Sequence, residues 1–164
     1  LDSDDYFDKS KISIIVDQFK QFKKANFLQN LPNLKNNQNN SSLSFWPYLA
    51  PESCISFRKK FIKKFIKKNH KLQNKFGSVW LGFRLGAYAF FIDKSFLFYK
   101  KKLTHYSSHG ESKKYPFFGY NWLERRMNSF EYLYLISKKK LYFKLNPDYL
   151  VTFIIIKIYK FFKK

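Results

Sequence analysis

Apolar and polar residues recur with a helical period in two parts of this chain. In residues 11–28 the apolar positions fall mostly three or four residues apart, beginning with Ile12, Ile15 and Val16. This spacing predicts an amphipathic helix. The pattern is sharper in residues 55–70, where phenylalanine and isoleucine fall on one helical face and lysine falls on the other. We therefore predict a second helix there that is amphipathic and strongly basic.

The middle of the chain has the composition of strands. Residues 79–99 are rich in aromatic and β-branched side chains and are interrupted by Gly82 and Gly86. The polar triplet at 93–95 separates two aromatic runs, which predicts a β-hairpin over residues 87–99. Residues 100–116 are polar and basic, and we predict a loop for them.

The C-terminal part reads as a short helix that runs into a strand over residues 122–136, followed by an apolar strand over residues 149–159. The longest apolar stretch, residues 149–162, is interrupted by Lys157 and Lys160. It is also shorter than the roughly 20 apolar residues that a membrane-spanning helix needs. We therefore predict no transmembrane segment.

The positive charge is concentrated in one part of the chain. Residues 1–57 carry six basic and six acidic side chains, whereas residues 58–164 carry 26 basic and 5 acidic ones, so the formal net charge of +21 lies in the second part. Such a charge repels itself unless a polyanion neutralises it. Nucleic acid is the commonest partner of this kind, and an anionic membrane is the alternative.

Composition and pattern together predict the fold class and the domain organisation. Residues 36–42 are rich in asparagine and predict a linker, and the aromatic residues 43–50, interrupted by Pro47, predict an extended segment. We predict an α+β protein with a neutral, helical N-terminal extension over residues 1–54. Residues 55–164 form the predicted basic RNA-binding domain, a small core with an amphipathic helix, a β-hairpin and a C-terminal strand.

The candidate RNA contacts are basic side chains in the second part of the chain. No carboxylate lies among the lysines of the 55–70 helix, so these lysines repel one another at i,i+4 spacing until a polyanion lies opposite them. Aromatic residues make up 22% of the sequence, and rings between basic groups can stack on bases. The predicted phosphate contacts are Lys59, Lys60, Lys63, Lys64, Lys67, Lys68, Arg84, Lys100, Lys101, Lys102, Lys113, Lys114, Arg125 and Arg126.

The sequence has no recognisable catalytic or metal-binding constellation. His105 and His109 have the spacing of two metal ligands on a helix, but the serine and glycine residues beside them predict a loop. Cys54 is the one cysteine, which excludes an internal disulfide and a Cys-based zinc site within the chain. The carboxylates after residue 57 are scattered among basic neighbours, which favours ion pairs over acid–base dyads. We predict no enzyme activity, no cofactor, no metal and no small-molecule substrate.

A family resemblance begins at Asn121-Trp122-Leu123-Glu124. This motif is followed by Phe130-Glu131, by the basic segment 137–140 and by the aliphatic run 154–160, and the series resembles the C-terminal end of the small-subunit ribosomal protein S-four family. The resemblance implies a protein that binds small-subunit ribosomal RNA early in assembly. It also implies that the aliphatic run is a strand. The neutral N-terminal segment departs from the family, and we expect it to be an extension that contacts neighbouring ribosomal proteins.

Two further motifs extend the resemblance upstream. Arg84-Leu85-Gly86 and His109-Gly110 are similar to two landmarks of the RNA-binding module of that family, although here they are further apart and lack the following Asn-Gly turn. The segment 82–86, Gly-Phe-Arg-Leu-Gly, is also similar to mitochondrial members of the small-subunit ribosomal protein S-three family. The S-three family is therefore a competing identity.

The composition also suggests where the protein is encoded. Phe, Lys, Asn, Ile and Tyr, whose codons are rich in A and T, are abundant, and the first residues after Leu1 are acidic, unlike a transit peptide. We expect an organelle-encoded structural constituent of the mitochondrial small ribosomal subunit, located in the matrix. The alternative is an accessory subunit of a mitochondrial inner-membrane complex that places the basic amphipathic helix on the lipid surface.

Overall fold

The computed structural model of this chain describes residues 5–33, 51–72, 74–105, 119–138 and 144–162. These residues form helices and a four-stranded sheet, so the chain has a mixed α and β architecture, which agrees with the predicted α+β class. In chain order the elements are β1 (Tyr6–Phe7), α1 (Lys11–Gln21), β2 (Phe27–Asn33), β3 (Ile55–Phe57), α2 (Lys59–Asn69), α3 (Leu81–Phe91), β4 (Phe96–His105), α4 (Tyr120–Ser137) and α5 (Pro147–Phe162).

The sheet has the strand order β1-β4-β2-β3. β2 runs parallel to β4 and antiparallel to β3, while β1 pairs antiparallel with the end of β4. The pairing of β2 with β4 shifts register between Asn30 and Leu31, where Lys100 and Lys101 of β4 have no counterpart. β1, β2 and β3 belong to the neutral residues 1–57, and β4 belongs to the basic residues 58–164. Strands from both parts of the chain therefore pair in one sheet.

Helices cover both faces of the sheet. On one face Ile15 of α1 packs with Leu28 and Leu103. On the other face Phe27 packs with Phe61 of α2 and with residues of α3. Neighbouring residues of a strand point to opposite faces, so Phe27 and Leu28 enter different cores.

A third cluster joins α3 to α4. Phe83 of α3 packs with Phe130 and Tyr132 of α4, and all three side chains are buried. α5 packs on α4, with the Tyr149 ring 5.4 Å from that of Phe130. None of the helices in the described part of the chain is both long and apolar enough to cross a bilayer.

The predicted hairpin over residues 87–99 is wrong in its first half. These residues continue α3 as far as Phe91, and only the second half forms a strand, β4. α3 is buried on two sides, because Phe83 contacts α4 while Leu85 contacts α2 and the sheet. A helix buried on both sides lacks a polar face, and a local pattern cannot distinguish it from a buried strand.

The predicted C-terminal strand over residues 149–159 is also wrong, because this segment lies in α5. The side-chain oxygen of Asn146 accepts hydrogen bonds from the backbone N–H groups of Asp148 and Tyr149, so Asn146 is the N-cap of α5. Pro147 occupies the first helical position. These start signals outweigh the strand preference of the β-branched run that follows.

Other predicted boundaries also differ from the observed ones. α4 is a continuous helix and does not run into the strand predicted within 122–136. α1 ends at Gln21 because Phe27 and Leu28 join the sheet, and residues 55–57 form β3 ahead of α2. The predicted loop is wrong for Lys100 to His105, which belong to β4, and the rest of it lies outside the described residues. The predicted linker and extended segment at residues 36–50 also lie outside them.

The side chain of Glu52 caps the N-terminus of α3. Its Oε1 accepts the N–H of Gly82 at 2.8 Å, and a Cβ on Gly82 would lie 3.1 Å from the Glu52 Cγ. We expect Glu52→Ala to lower the free energy of unfolding by about 1 kcal/mol, because the helix end loses an anionic acceptor. Urea denaturation measures this change. Glu124→Ala, at an exposed position within α4, is the control, and an equal effect of both substitutions would contradict the capping role.

Candidate nucleic-acid interface

α2 places its apolar and basic residues on opposite sides, as predicted. Phe61 and Phe65 are buried in the core beneath the helix, and the Phe61 ring lies 5.6 Å from that of Phe27 and 5.7 Å from that of Tyr88. The side chain of Asn69 is also buried and donates to the carbonyl oxygen of Phe65 at 3.0 Å. The core therefore fixes how the helix is rotated.

That rotation presents a set of lysines to solvent, which we call the α2 lysine face. Each of its members is exposed and has another at i,i+3 or i,i+4, so their charges repel along the helix. Lys64 pairs with Asp93 at 3.1 Å, whereas the other five form no ion pair with any described residue. The α2 lysine face consists of Lys59, Lys60, Lys63, Lys64, Lys67 and Lys68.

Asp93 is a fixed carboxylate at the edge of this face. Burial acts to raise the pKa of Asp93, but hydrogen bonds from Ser95, Asn26 and Lys64 outweigh it and hold this pKa below its usual value. Asp93 is therefore ionised at neutral pH. It holds Lys64 against the turn between α3 and β4, and the remaining lysines of the face stay available to an outside anion.

A second basic cluster lies on β4. Lys100, Lys101 and Lys102 are exposed, and the first two occupy the register shift described above. β1 pairs with β4 at Thr104 and His105, so it does not cover the edge of β4 beside these lysines. Lysines at an uncovered edge discourage pairing with a foreign strand, and they also offer charge to a phosphate backbone.

Two of the predicted arginine contacts, Arg125 and Arg126, make intramolecular interactions. Arg125 lies 4.0 Å over the Trp80 ring and donates to the carbonyl oxygen of Ser78 at 2.7 Å. Arg126 forms a two-point ion pair with Asp148, which joins α4 to α5.

Arg84 lies on the largely buried helix α3 and is itself half-buried. Its positive charge acts to lower the pKa of Tyr132, although burial outweighs this effect. Lys113 and Lys114 lie outside the described residues, as does His109. Within the described part of the chain, no group of three or more His, Cys, Asp or Glu side chains is arranged to hold a metal ion.

Lys11, which the sequence pattern does not single out, is the most buried basic side chain among the described residues, with 2% exposure. Its Nζ donates to the Ser53 carbonyl oxygen at 2.6 Å and to the Thr104 Oγ1 at 2.7 Å, and lies 3.5 Å from the centre of the Phe7 ring. Burial lowers the pKa of Lys11 to about 8, although the neighbouring Cys54 acts to raise it. Lys11 therefore holds α1 to β4 and takes no part in the exposed basic surface.

This buried lysine gives a pH-dependent contribution to stability. An unfolded lysine titrates near 10.5, so between about pH 8 and 10.5 the unfolded chain binds more protons than the folded chain, and stability rises with pH. We expect the unfolding free energy of the unmodified chain, relative to that of Lys11→Met, to rise by about 1–2 kcal/mol from pH 7.5 to 9.5. Urea denaturation at several pH values measures this. Lys20→Met, at an exposed lysine, is the control.

Comparison of this chain with protein-family models, with curated proteins and with solved structures finds no match. The proposals below therefore rest on the geometry and charge of this molecule and on the motif resemblance described above.

Proposed function

We propose that this protein is an RNA-bound structural protein of a ribonucleoprotein particle. The observation that carries the proposal is the α2 lysine face. Its members are all exposed, five of them form no ion pair with a described residue, and Phe61 and Phe65 fix the helix to the core. The mutual repulsion of these lysines is relieved when phosphates lie opposite them and condensed counterions are released. Lys100 to Lys102 add a second basic surface on β4.

The expected mode of binding is to the backbone and shape of RNA. α2 has 11 residues, so its lysine face extends about 16 Å and reaches several consecutive phosphates. Lysine is a point charge on a flexible chain, and contacts with phosphate position a protein without reading sequence. The described aromatic rings of α2 are in the core, which leaves little for base stacking on this helix. Specificity is therefore expected from RNA shape.

We further propose that the particle is the small ribosomal subunit of a mitochondrion. The proposal is supported by the motif resemblance around Trp122 and by the charge. The S-four resemblance implies a helix at Arg84-Leu85-Gly86, and this motif lies on α3. The aliphatic run 154–160 lies in α5, where that resemblance implied a strand, and this departure leaves the S-three family as a competing identity.

The membrane alternative required the apolar side of α2 to enter lipid. Phe61 and Phe65 are 0% and 5% exposed, so this side of the helix is occupied by the core. An anionic bilayer would meet the lysines and Ile66, which is 56% exposed, but not the two phenylalanines. We therefore propose RNA as the partner of the α2 lysine face in preference to lipid.

A sucrose gradient of detergent-solubilised organelles, with and without ribonuclease, tests the proposal when this chain is followed by mass spectrometry. We expect the chain to sediment with the small ribosomal subunit and to shift to lighter fractions after ribonuclease treatment. Sedimentation with a respiratory complex that is indifferent to ribonuclease would contradict both parts of the proposal. Sedimentation with another ribonuclease-sensitive particle would contradict only its ribosomal part.

A further inference from the structure

α5 carries a large apolar surface that nothing in the described part of the chain covers. Thr152 and Ile156 face α4 and are buried, whereas most apolar side chains on the other side of the helix are at least two-fifths exposed. Single exposed apolar residues are ordinary, but a continuous exposed face usually marks an interaction surface. The face consists of Leu150, Val151, Ile154, Ile158, Phe161 and Phe162.

The exposed residues follow a seven-residue repeat. Val151 and Ile158 are seven residues apart, and Ile154 and Phe161 occupy the alternate positions three residues after each of them. They correspond to the a and d positions of a coiled coil, with β-branched residues at a. The four have exposed fractions of 44%, 55%, 50% and 77% in chain order. This is the surface that a second helix covers by packing side chains into the spaces between these residues.

The charge beside this seam is positive. Lys157 occupies a position that flanks the seam, where its ammonium lies over the Phe153 ring, whereas Lys160 is exposed on a side of α5 away from the seam. The one carboxylate of α5, Asp148, is buried and paired with Arg126. Flanking charges select the partner in helix pairs, so this seam favours a helix that carries carboxylates beside its own apolar stripe.

We propose that α5 docks a helix of another protein, one whose heptad apolar stripe is flanked by glutamate or aspartate. A second copy of this chain is a poorer partner because it brings the same lysines and a net charge of +21. A lipid surface requires an apolar side but no seven-residue repeat, and α5 has the repeat. The proposal does not depend on RNA binding, since none of its residues belongs to the α2 lysine face.

Three peptide probes test the chemistry of the partner with the full chain. Each is about three heptads long, or ~21 residues. The first has leucine at a and d and glutamate at the flanking positions, the second has lysine at the flanking positions, and the third has the composition of the first in scrambled order. We expect only the glutamate heptad peptide to bind in fluorescence anisotropy at physiological salt.

Matched variants locate the binding surface. Replacing Ile154 and Ile158 together by glutamine should weaken the glutamate peptide at least tenfold, whereas Ile12→Gln, at an isoleucine of α1 that is 69% exposed, should not. Lys157→Glu should weaken the glutamate peptide and strengthen the lysine peptide. Circular dichroism checks that each variant is folded, and RNA affinity should be the same in all of them.

Three results would overturn the proposal. The first is equal binding of the scrambled peptide, which would make the attraction a matter of net charge. The second is sedimentation equilibrium that shows a dimer lost in the Ile154 and Ile158 double variant, which would assign the face to a second copy. The third is flotation with vesicles of anionic phosphatidylglycerol that the same double variant abolishes, which would assign the face to lipid.

Discussion

Replacing four lysines of α2 by glutamine is expected to weaken binding of a short A-form RNA duplex by about 100-fold or more at physiological salt. Each phosphate contact contributes about 0.9 to the slope of log affinity against log salt, so the loss of four contacts should flatten this slope by about 3–4. Anisotropy titrations at several salt concentrations measure both quantities. The substituted residues are Lys59, Lys60, Lys63 and Lys67, which are exposed and form no ion pair with a described residue.

The matched control removes the same charge from the other face of the sheet. Lys9, Lys20, Lys23 and Lys24 are exposed at the ends of α1, which packs against the side of the sheet that α2 does not touch. Their replacement by glutamine should change the salt slope by less than about 1. Equal losses in both variants would show that net charge alone drives binding and that α2 is not the interface.

Lys64 offers a sharper distinction within the same helix. Asp93 holds it at 3.1 Å, so part of its charge is already neutralised before any phosphate arrives. Lys64→Gln should therefore reduce RNA affinity less than Lys63→Gln, its neighbour in sequence. An equal or larger loss at Lys64 would indicate that Asp93 releases this lysine when RNA binds.

The sequence predicts α2 well because one pattern determines both its structure and its surface. Phenylalanine and lysine separate onto two faces at helical spacing, and Phe61 and Phe65 do enter the core while the lysines are exposed. The interpretation needs no information about distant parts of the chain. A prediction from local periodicity is most secure in such a segment.

α3 and α5 show why the rest could not be predicted in the same way. α3 is apolar apart from Arg84 because it lies between α4 and the sheet, and one basic residue does not form a polar face that would indicate its period. In α5 the apolar residues lie on both the packed and the exposed side, which also hides the helical period. In both helices the deciding information is which neighbour covers which side, and this depends on tertiary packing.

The candidate interface was predictable only in part, for a related reason. The sequence alone does not show whether a basic side chain is exposed to solvent or bound to another group of the protein. Arg126 is paired with Asp148, and Lys11 donates to Thr104, a residue 93 positions away. Whether a cation has a partner within the protein depends on residues that are distant in the sequence.

Tyr132→Ala is expected to lower the free energy of unfolding by about 3–5 kcal/mol, the largest change in stability that we predict for one substitution. The Tyr132 ring is fully buried between α3 and α4, with ring centres 5.6 Å from Phe76 and 6.4 Å from Phe83. Removal of the ring leaves a cavity that the surrounding helices cannot fill completely. Urea or thermal denaturation measures the change.

Tyr132→Phe separates the hydroxyl group from the ring. This hydroxyl donates to Asn69 Oδ1 at 2.6 Å, and burial raises the pKa of Tyr132, so the group remains a donor at high pH. Its loss leaves a buried amide oxygen without its donor, which should lower the unfolding free energy by about 1–2 kcal/mol. Tyr6→Phe, at a tyrosine that is 62% exposed, should change stability by less than about 0.5 kcal/mol. Because Asn69 ends α2, a Tyr132→Phe variant as stable as the unmodified chain would show that this hydrogen bond does not hold α2 to α4.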